Sequence, residues 1–113
     1  MSSDTTYLLD MLDAARLAIK YAAGKTLQQF KSDTLCQDAV LHRLTIIGEA
    51  ARRVSEETRN RLSGIPWGRI IGMRNVMVHV YDEVDLDLVW GTVQNDLPAL
   101  IAELARHVGT EEP

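Results

Sequence analysis

Four polar side chains within eight residues are the part of this 113-residue chain hardest to explain as packing: Arg74, Asn75, His79 and Tyr81, set among Val76, Met77, Val78 and Val80. A segment that only filled a core would avoid them, because a buried guanidinium needs a paired anion and a buried phenol needs a hydrogen-bond partner. Arginine presents a planar fork that matches two oxygens of a phosphate, and histidine exchanges a proton near neutral pH. Anion binding coupled to proton transfer is the chemistry this set can do.

The spacing restricts how the groups can meet. On an ideal helix residues seven apart are displaced by only ~20° and residues five apart by ~140°. Arg74 and Tyr81 therefore share a face while His79 does not. Convergence of all three requires the helix to end near His79, or a second copy of the chain to supply the missing group.

The elements that must position this stretch read as helices. Ser3 or Asp4 is expected to cap a first helix with Leu8, Leu12, Ala15, Ile19 and Ala22 on one face, ended by Gly24. Residues 25–32 form a connection whose Leu27 and Phe30 fold back over the bundle end. Asp33 caps a long second helix with Val40, Leu44, Ile47, Ala51 and Val54 in register. Gly48 lies on an adjoining face, where a missing side chain lets a neighbouring helix approach closely. Residues 55–60 turn polar and leave the core, and Ser63-Gly64-Ile65-Pro66 is a break. Pro66 starts a third helix with Trp67, Ile70, Ile71, Arg74, Met77 and Val78 on one face, so that Arg74 falls on the apolar side. A fourth segment from Asp85 carries Leu86, Val89, Val93, Leu97, Leu100, Ile101, Leu104 and Val108 on one stripe. Pro98 should kink or restart it, with Asp96 as a local cap. No stretch alternates as a strand does, so the fold class is all-α: an antiparallel bundle of four main helices in a single domain over residues 1–113. Residues 1–3 and 109–113 are expected to be flexible ends.

Composition narrows the functional classes. A hydrophobic fraction of 46% suits one globular core, and no apolar run approaches the ~18 to 20 residues that cross a bilayer. With no basic leader at the start, a cytoplasmic location is expected. Cys36 stands alone, and His42, His79 and His107 are too far apart to suggest local metal ligation, so neither a disulfide nor a metal or other cofactor is expected. His42 and His107 read as surface or helix-end residues. The net charge of −4 is unevenly spread: residues 43–74 hold seven arginines against three glutamates, and residues 82–113 hold eight acids against Arg106. A basic surface for phosphate and an acidic one turned elsewhere is one reading, and two solvated faces the other. Trp67 and Trp90 read as core or interface anchors, with base stacking as the alternative.

Arginine, four residues, histidine, one residue, tyrosine, with a polar residue directly after the arginine, resembles the motif of HepT-type toxins of the HEPN superfamily. Ile47-Gly48-Glu49-Ala50, Ile65-Pro66-Trp67 and Gly72-Met73-Arg74-Asn75 are similar to that family too, so the resemblance covers nearly the whole chain. It implies a homodimer whose two motifs face each other across the symmetry axis. It also implies a metal-independent ribonuclease, acting on tRNA or mRNA, in which His79 and Arg74 are catalytic and Asn75 supports them. The partner it implies is an MntA-type minimal nucleotidyltransferase antitoxin, which transfers AMP from ATP to the motif tyrosine, here Tyr81, in a type VII toxin–antitoxin pair. Two other readings stand beside this one: a catalytically idle bundle that docks a nucleotidyltransferase and assists its nucleotide or substrate binding, and a dimerisation module without a ligand. Residue by residue, His79 can instead be a helix-end histidine bonded to a carbonyl, Tyr81 a half-buried packing residue, and Arg74 the partner of a carboxylate such as Glu49.

Overall fold

The chain folds as a helical bundle in a computed structural model that describes residues 3–74 and 84–108. In order these form α1 (Ser3–Ala22), α2 (Leu27–Lys31), α3 (Thr34–Arg53), α4 (Glu56–Arg61), α5 (Trp67–Gly72), α6 (Leu86–Gly91), a π-helical turn (Thr92–Asp96) and α7 (Leu97–Val108). No strand occurs among the described residues. The Asn75, His79 and Tyr81 positions lie outside them.

The bundle is built on α1 against α3, with α7 also packed on α1 and α5 on α3. Small residues make the first pairing close. Ala14, Ala15, Ala18 and Ala22 of α1 and Ala50 and Ala51 of α3 are all buried, and Met11, Leu44 and Ile47 fill the space between. Every apolar residue placed in register on the second helix, from Val40 to Val54, is at most 1% exposed. In α1 the buried face also takes in Met11 and Ala18, while Ile19 sits at its edge. Gly24 closes the helix at φ +78°, where a Cβ would be strained.

The connection after α1 carries its own short helix. Thr26 and Gln29 form a reciprocal capping box, and Phe30 at its far end is fully buried with its ring centroid 5.4 Å from that of Trp90. Asp33 caps α3 as expected, accepting from the Cys36 amide at 3.0 Å. The Cys36 thiol is buried, and burial, together with Asp33, pushes its pKa up, which disfavours a reactive thiolate.

Two expectations are corrected at the next turn. Residues 55–60 do not simply leave the core: Ser55 caps α4, its side chain accepting from the Thr58 amide, and Thr58 is buried. Asp4 does not cap α1 but lies inside it, one residue after its start at Ser3. The Asp4 carboxylate reaches the α4 turn, accepting from the Ser55 amide at 3.0 Å and from the Ser55 and Thr58 hydroxyls. Those hydrogen bonds favour the ionised form and hold its pKa below the usual carboxylate value. A depressed folded-state pKa stabilises the fold at pH values above the unfolded-state pKa, and this contribution disappears as pH falls through the folded-state value. Asp4→Asn is therefore expected to lower the melting temperature at pH 7, with the gap to the parent closing toward pH 3. Thermal melts followed by circular dichroism at both pH values check this, and a gap that stays constant with pH would contradict it.

The C-terminal stripe buries Val89, Val93, Leu97, Leu100, Leu104 and Val108. The restart expected at Pro98 does not occur: α6, the π turn and α7 follow one another without a break, and the adjustment falls upstream of the proline. Proline has no N–H for the carbonyl four residues back and its ring crowds that group, and the chain widens into a π turn just before it, closed by the Leu97 amide on the Thr92 carbonyl. Asp96 does not act as the expected cap; it pairs with Arg69 of α5 at 2.9 Å. Asp87 likewise pairs with Lys31 at 2.8 Å, so part of the acidic C-terminal charge is spent within the bundle. No described helix is long and apolar enough to cross a membrane.

Candidate functional site

The described part of the motif is Arg74, and its place is set by α3. α5 runs from Trp67 to Gly72 and tightens into a 3-10 turn at Met73 and Arg74. Ile70 and Met73 are buried and Ile71 packs at the core edge, which seats this turn on α3. A Cβ on Gly48 would lie 2.7 Å from the Arg74 amide nitrogen, 2.8 Å from the Arg74 Cβ and 3.1 Å from the Ile71 carbonyl. The close approach expected at Gly48 is thus made by the backbone of the motif itself.

Glu49, the next residue of α3, fixes the arginine side chain. Its Oε1 is 3.1 Å from Arg74 Nε and its Oε2 is 3.4 Å from Arg52 Nη2. The Arg74 side chain is 37% exposed and that of Glu49 36%, so the pair is worth little as stability. Its effect is orientation: bonding at Nε directs the guanidinium and leaves solvent access to a ligand. Arg74 was expected on the apolar side, with pairing to a carboxylate such as Glu49 as the alternative; the Glu49 pair is present and holds it at the border of core and solvent. Met73, absent from the expected face, takes the core position.

The row of cations continues from Arg52. Arg59 of α4 donates from Nε to the Val54 carbonyl at 3.0 Å and from Nη2 to the Arg52 carbonyl at 3.1 Å. These are acceptors at the C-terminal end of α3, where a positive charge complements the helix dipole. Sequence periodicity gave no hint of this, since it identifies faces but not which carbonyls a long side chain can reach. Trp67 donates from Nε1 to the Leu62 carbonyl at 3.1 Å and is partly buried on the core, in keeping with an anchor. His42 is exposed, and His107 lies 3.9 Å from Glu103 near the end of α7. Among the described residues no group of histidine, cysteine and carboxylate side chains has the arrangement of a metal site.

Gly48→Ala offers a direct test of this seating. The new methyl meets backbone, which cannot swing aside, so overpacking of ~1–3 kcal/mol outweighs the ~1 kcal/mol gained in helix propensity. A net loss of about 1 kcal/mol in urea unfolding is expected, accompanied by a fall in whatever activity depends on Arg74. Unchanged stability and activity would mean that the turn yields freely.

Known proteins place this architecture. The solved structure of a tri-AMPylated Shewanella oneidensis HEPN toxin in complex with MNT antitoxin aligns with a TM-score of 0.67 over 99% of both chains, at 20% identity, so the bundle has the all-α HEPN fold. A family model described as Ribonuclease HepT-like matches residues 11–107, and the chain belongs to this HepT-like family. A Thermococcus cleftensis protein named "Probable ribonuclease HepT" is 33% identical over 98 residues, covering 87% of this chain and 89% of its own. A Methanocaldococcus jannaschii protein named "Gamma-glutamylcyclotransferase and putative RNase" is 36% identical over 100 residues; the match takes in 88% of this chain but 45% of that longer protein.

Proposed function

We propose that the chain is the toxin of a toxin–antitoxin pair: a metal-independent endoribonuclease that works as a homodimer and is silenced by AMP transfer to Tyr81 from a nucleotidyltransferase antitoxin. The observation that carries this reading is the anchoring of Arg74 by Gly48 and Glu49 inside a HepT-like chain, at the head of a motif that goes on to Asn75, His79 and Tyr81. The S. oneidensis HEPN toxin, solved with an MNT antitoxin and in a tri-AMPylated state, supports the partner and the modification.

The chemistry follows from the residue types. Cleavage of RNA by its own 2′-hydroxyl needs a base to take that proton, a cation for the charge that gathers on phosphorus-bound oxygens, and an acid to protonate the departing 5′-oxygen. His79 takes or returns the proton, and Arg74 holds the phosphate through its fork, aimed by Glu49. Asn75 donates to phosphate or orients His79. In a dimer with facing motifs, one histidine serves as base and its counterpart as acid, which resolves the mismatch of face between Arg74 and His79.

The test is cleavage of a labelled RNA by the purified chain in the presence of a strong chelator, with its mass followed by sedimentation. A dimer that cleaves at an undiminished rate is expected. A 12.6 kDa species at micromolar concentration, or cleavage that stops on chelation, would overturn the corresponding part of the reading.

A further inference from the structure

Beside the α4–α5 connection the surface sinks into an open depression of about 480 Å³ lined by Glu56, Arg59, Asn60, Ser63 and Trp67. That volume falls within the ~300–1,000 Å³ of small-ligand sites. We infer that it is a base-binding subsite, in which the exposed part of the Trp67 indole stacks on an unpaired base of single-stranded RNA whose backbone runs to Arg74.

Three observations converge on this assignment. The first is continuity of charge: Glu49 bridges Arg74 and Arg52, and the Arg52 carbonyl accepts from Arg59, which lines the depression. Three guanidinium groups against Glu49 and Glu56 leave that row net positive, as a track for phosphates must be. The second is rigidity. Arg59 is held by two carbonyls and Trp67 by the Leu62 carbonyl, so the planar groups are pre-set and lose little freedom when a base arrives. The third is reach: Trp67 and Arg74 are seven residues apart along α5 and the turn after it, on the order of 10 Å, so one strand can contact both. Asn60 and Ser63 add side-chain donors and acceptors for base edges. Because every base has a π face, such a site favours unpaired over duplex RNA without strong sequence choice.

The inference rests on the ribonuclease reading, and the experiment separates the two. A fluorescein-labelled RNA oligomer, 2′-O-methylated so that it cannot be cut, is titrated into the full-length protein with a single abasic residue stepped along it. At one position the abasic residue should raise Kd about tenfold. The same step should be lost in Trp67→Leu and largely kept in Trp67→Phe, which retains a stacking ring. Circular dichroism establishes that both variants fold; should Trp67→Leu not fold, Trp67→Met, which fills more of the volume without a ring, takes its place in the comparison. Tight binding with no position-dependent penalty, or an equal penalty in Trp67→Leu, overturns the subsite and leaves ribonuclease activity standing. A position-dependent penalty in a protein that cleaves no RNA keeps the subsite and overturns the enzyme. Absence of binding to any oligomer overturns the subsite outright.

Discussion

Arg74→Ala and His79→Ala are expected to abolish toxicity when the chain is expressed without its partner, and to cut RNA cleavage by several orders of magnitude while the helical fold persists. Removing a general acid or base costs ~10²–10⁴ in rate, and removing a preorganised group that stabilises transition-state charge costs ~10²–10³. The fold should tolerate the loss of Arg74 because its side chain is partly solvated and Glu49 keeps Arg52 as a partner, so no buried carboxylate is stranded. Arg74→Lys distinguishes charge from geometry. It keeps the cation but not the planar fork, so its rate should fall between those of the parent and Arg74→Ala. Cleavage assays on the purified protein, with far-ultraviolet circular dichroism for folding, measure both effects. Parent-like toxicity in the folded alanine variants would sink the enzyme reading and favour a docking scaffold.

What was legible in the chain beforehand follows the reach of the physical signal. Periodicity over several turns located α1, α3 and α7, because burying one face of a long helix leaves a mark every three or four residues, as Val40, Leu44, Ile47, Ala51 and Val54 do. Gly48 was also legible, since a glycine in the middle of a helix calls for a close neighbour, here Arg74 itself. The short helices α2 and α4 were missed although their caps were visible: Thr26 with Gln29, and Ser55 ahead of Glu56 and Glu57, are start signals, but five or six residues are too few for a periodic face. Asp4 was misplaced as a cap because its acceptors are used on a partner 51 residues away, a tertiary choice that local rules do not encode. The candidate site divides in the same way. Residue types suggested the chemistry proposed for Arg74, His79 and Tyr81, whereas the Glu49–Arg52–Arg59 row beside Arg74 depends on side-chain reach between helices.

Tyr81→Phe separates a regulated toxin from a scaffold through a single oxygen atom. With a cognate nucleotidyltransferase and ATP, the parent chain should gain mass in steps of AMP at Tyr81: the phenolic oxygen attacks the α-phosphate of ATP and pyrophosphate leaves, and each further AMP is added in the same way through a ribose hydroxyl of the one already attached. An attached adenylate brings bulk and negative charge close in sequence to His79 and Arg74, where it competes with the RNA phosphate for the same guanidinium. The phenylalanine variant has no such oxygen and should gain no mass. It keeps the ring, so the fold should lose at most one hydrogen bond, ~0.5–1.5 kcal/mol. If Arg74 and His79 carry cleavage, the variant should still cut RNA and should remain toxic even when the antitoxin is coexpressed, the reverse of the parent. Intact-mass spectrometry, peptide mapping and growth curves read the three consequences separately. Complete loss of cleavage in Tyr81→Phe would make the phenol part of the catalytic set, and AMP mapped to another residue would move the switch elsewhere in the chain.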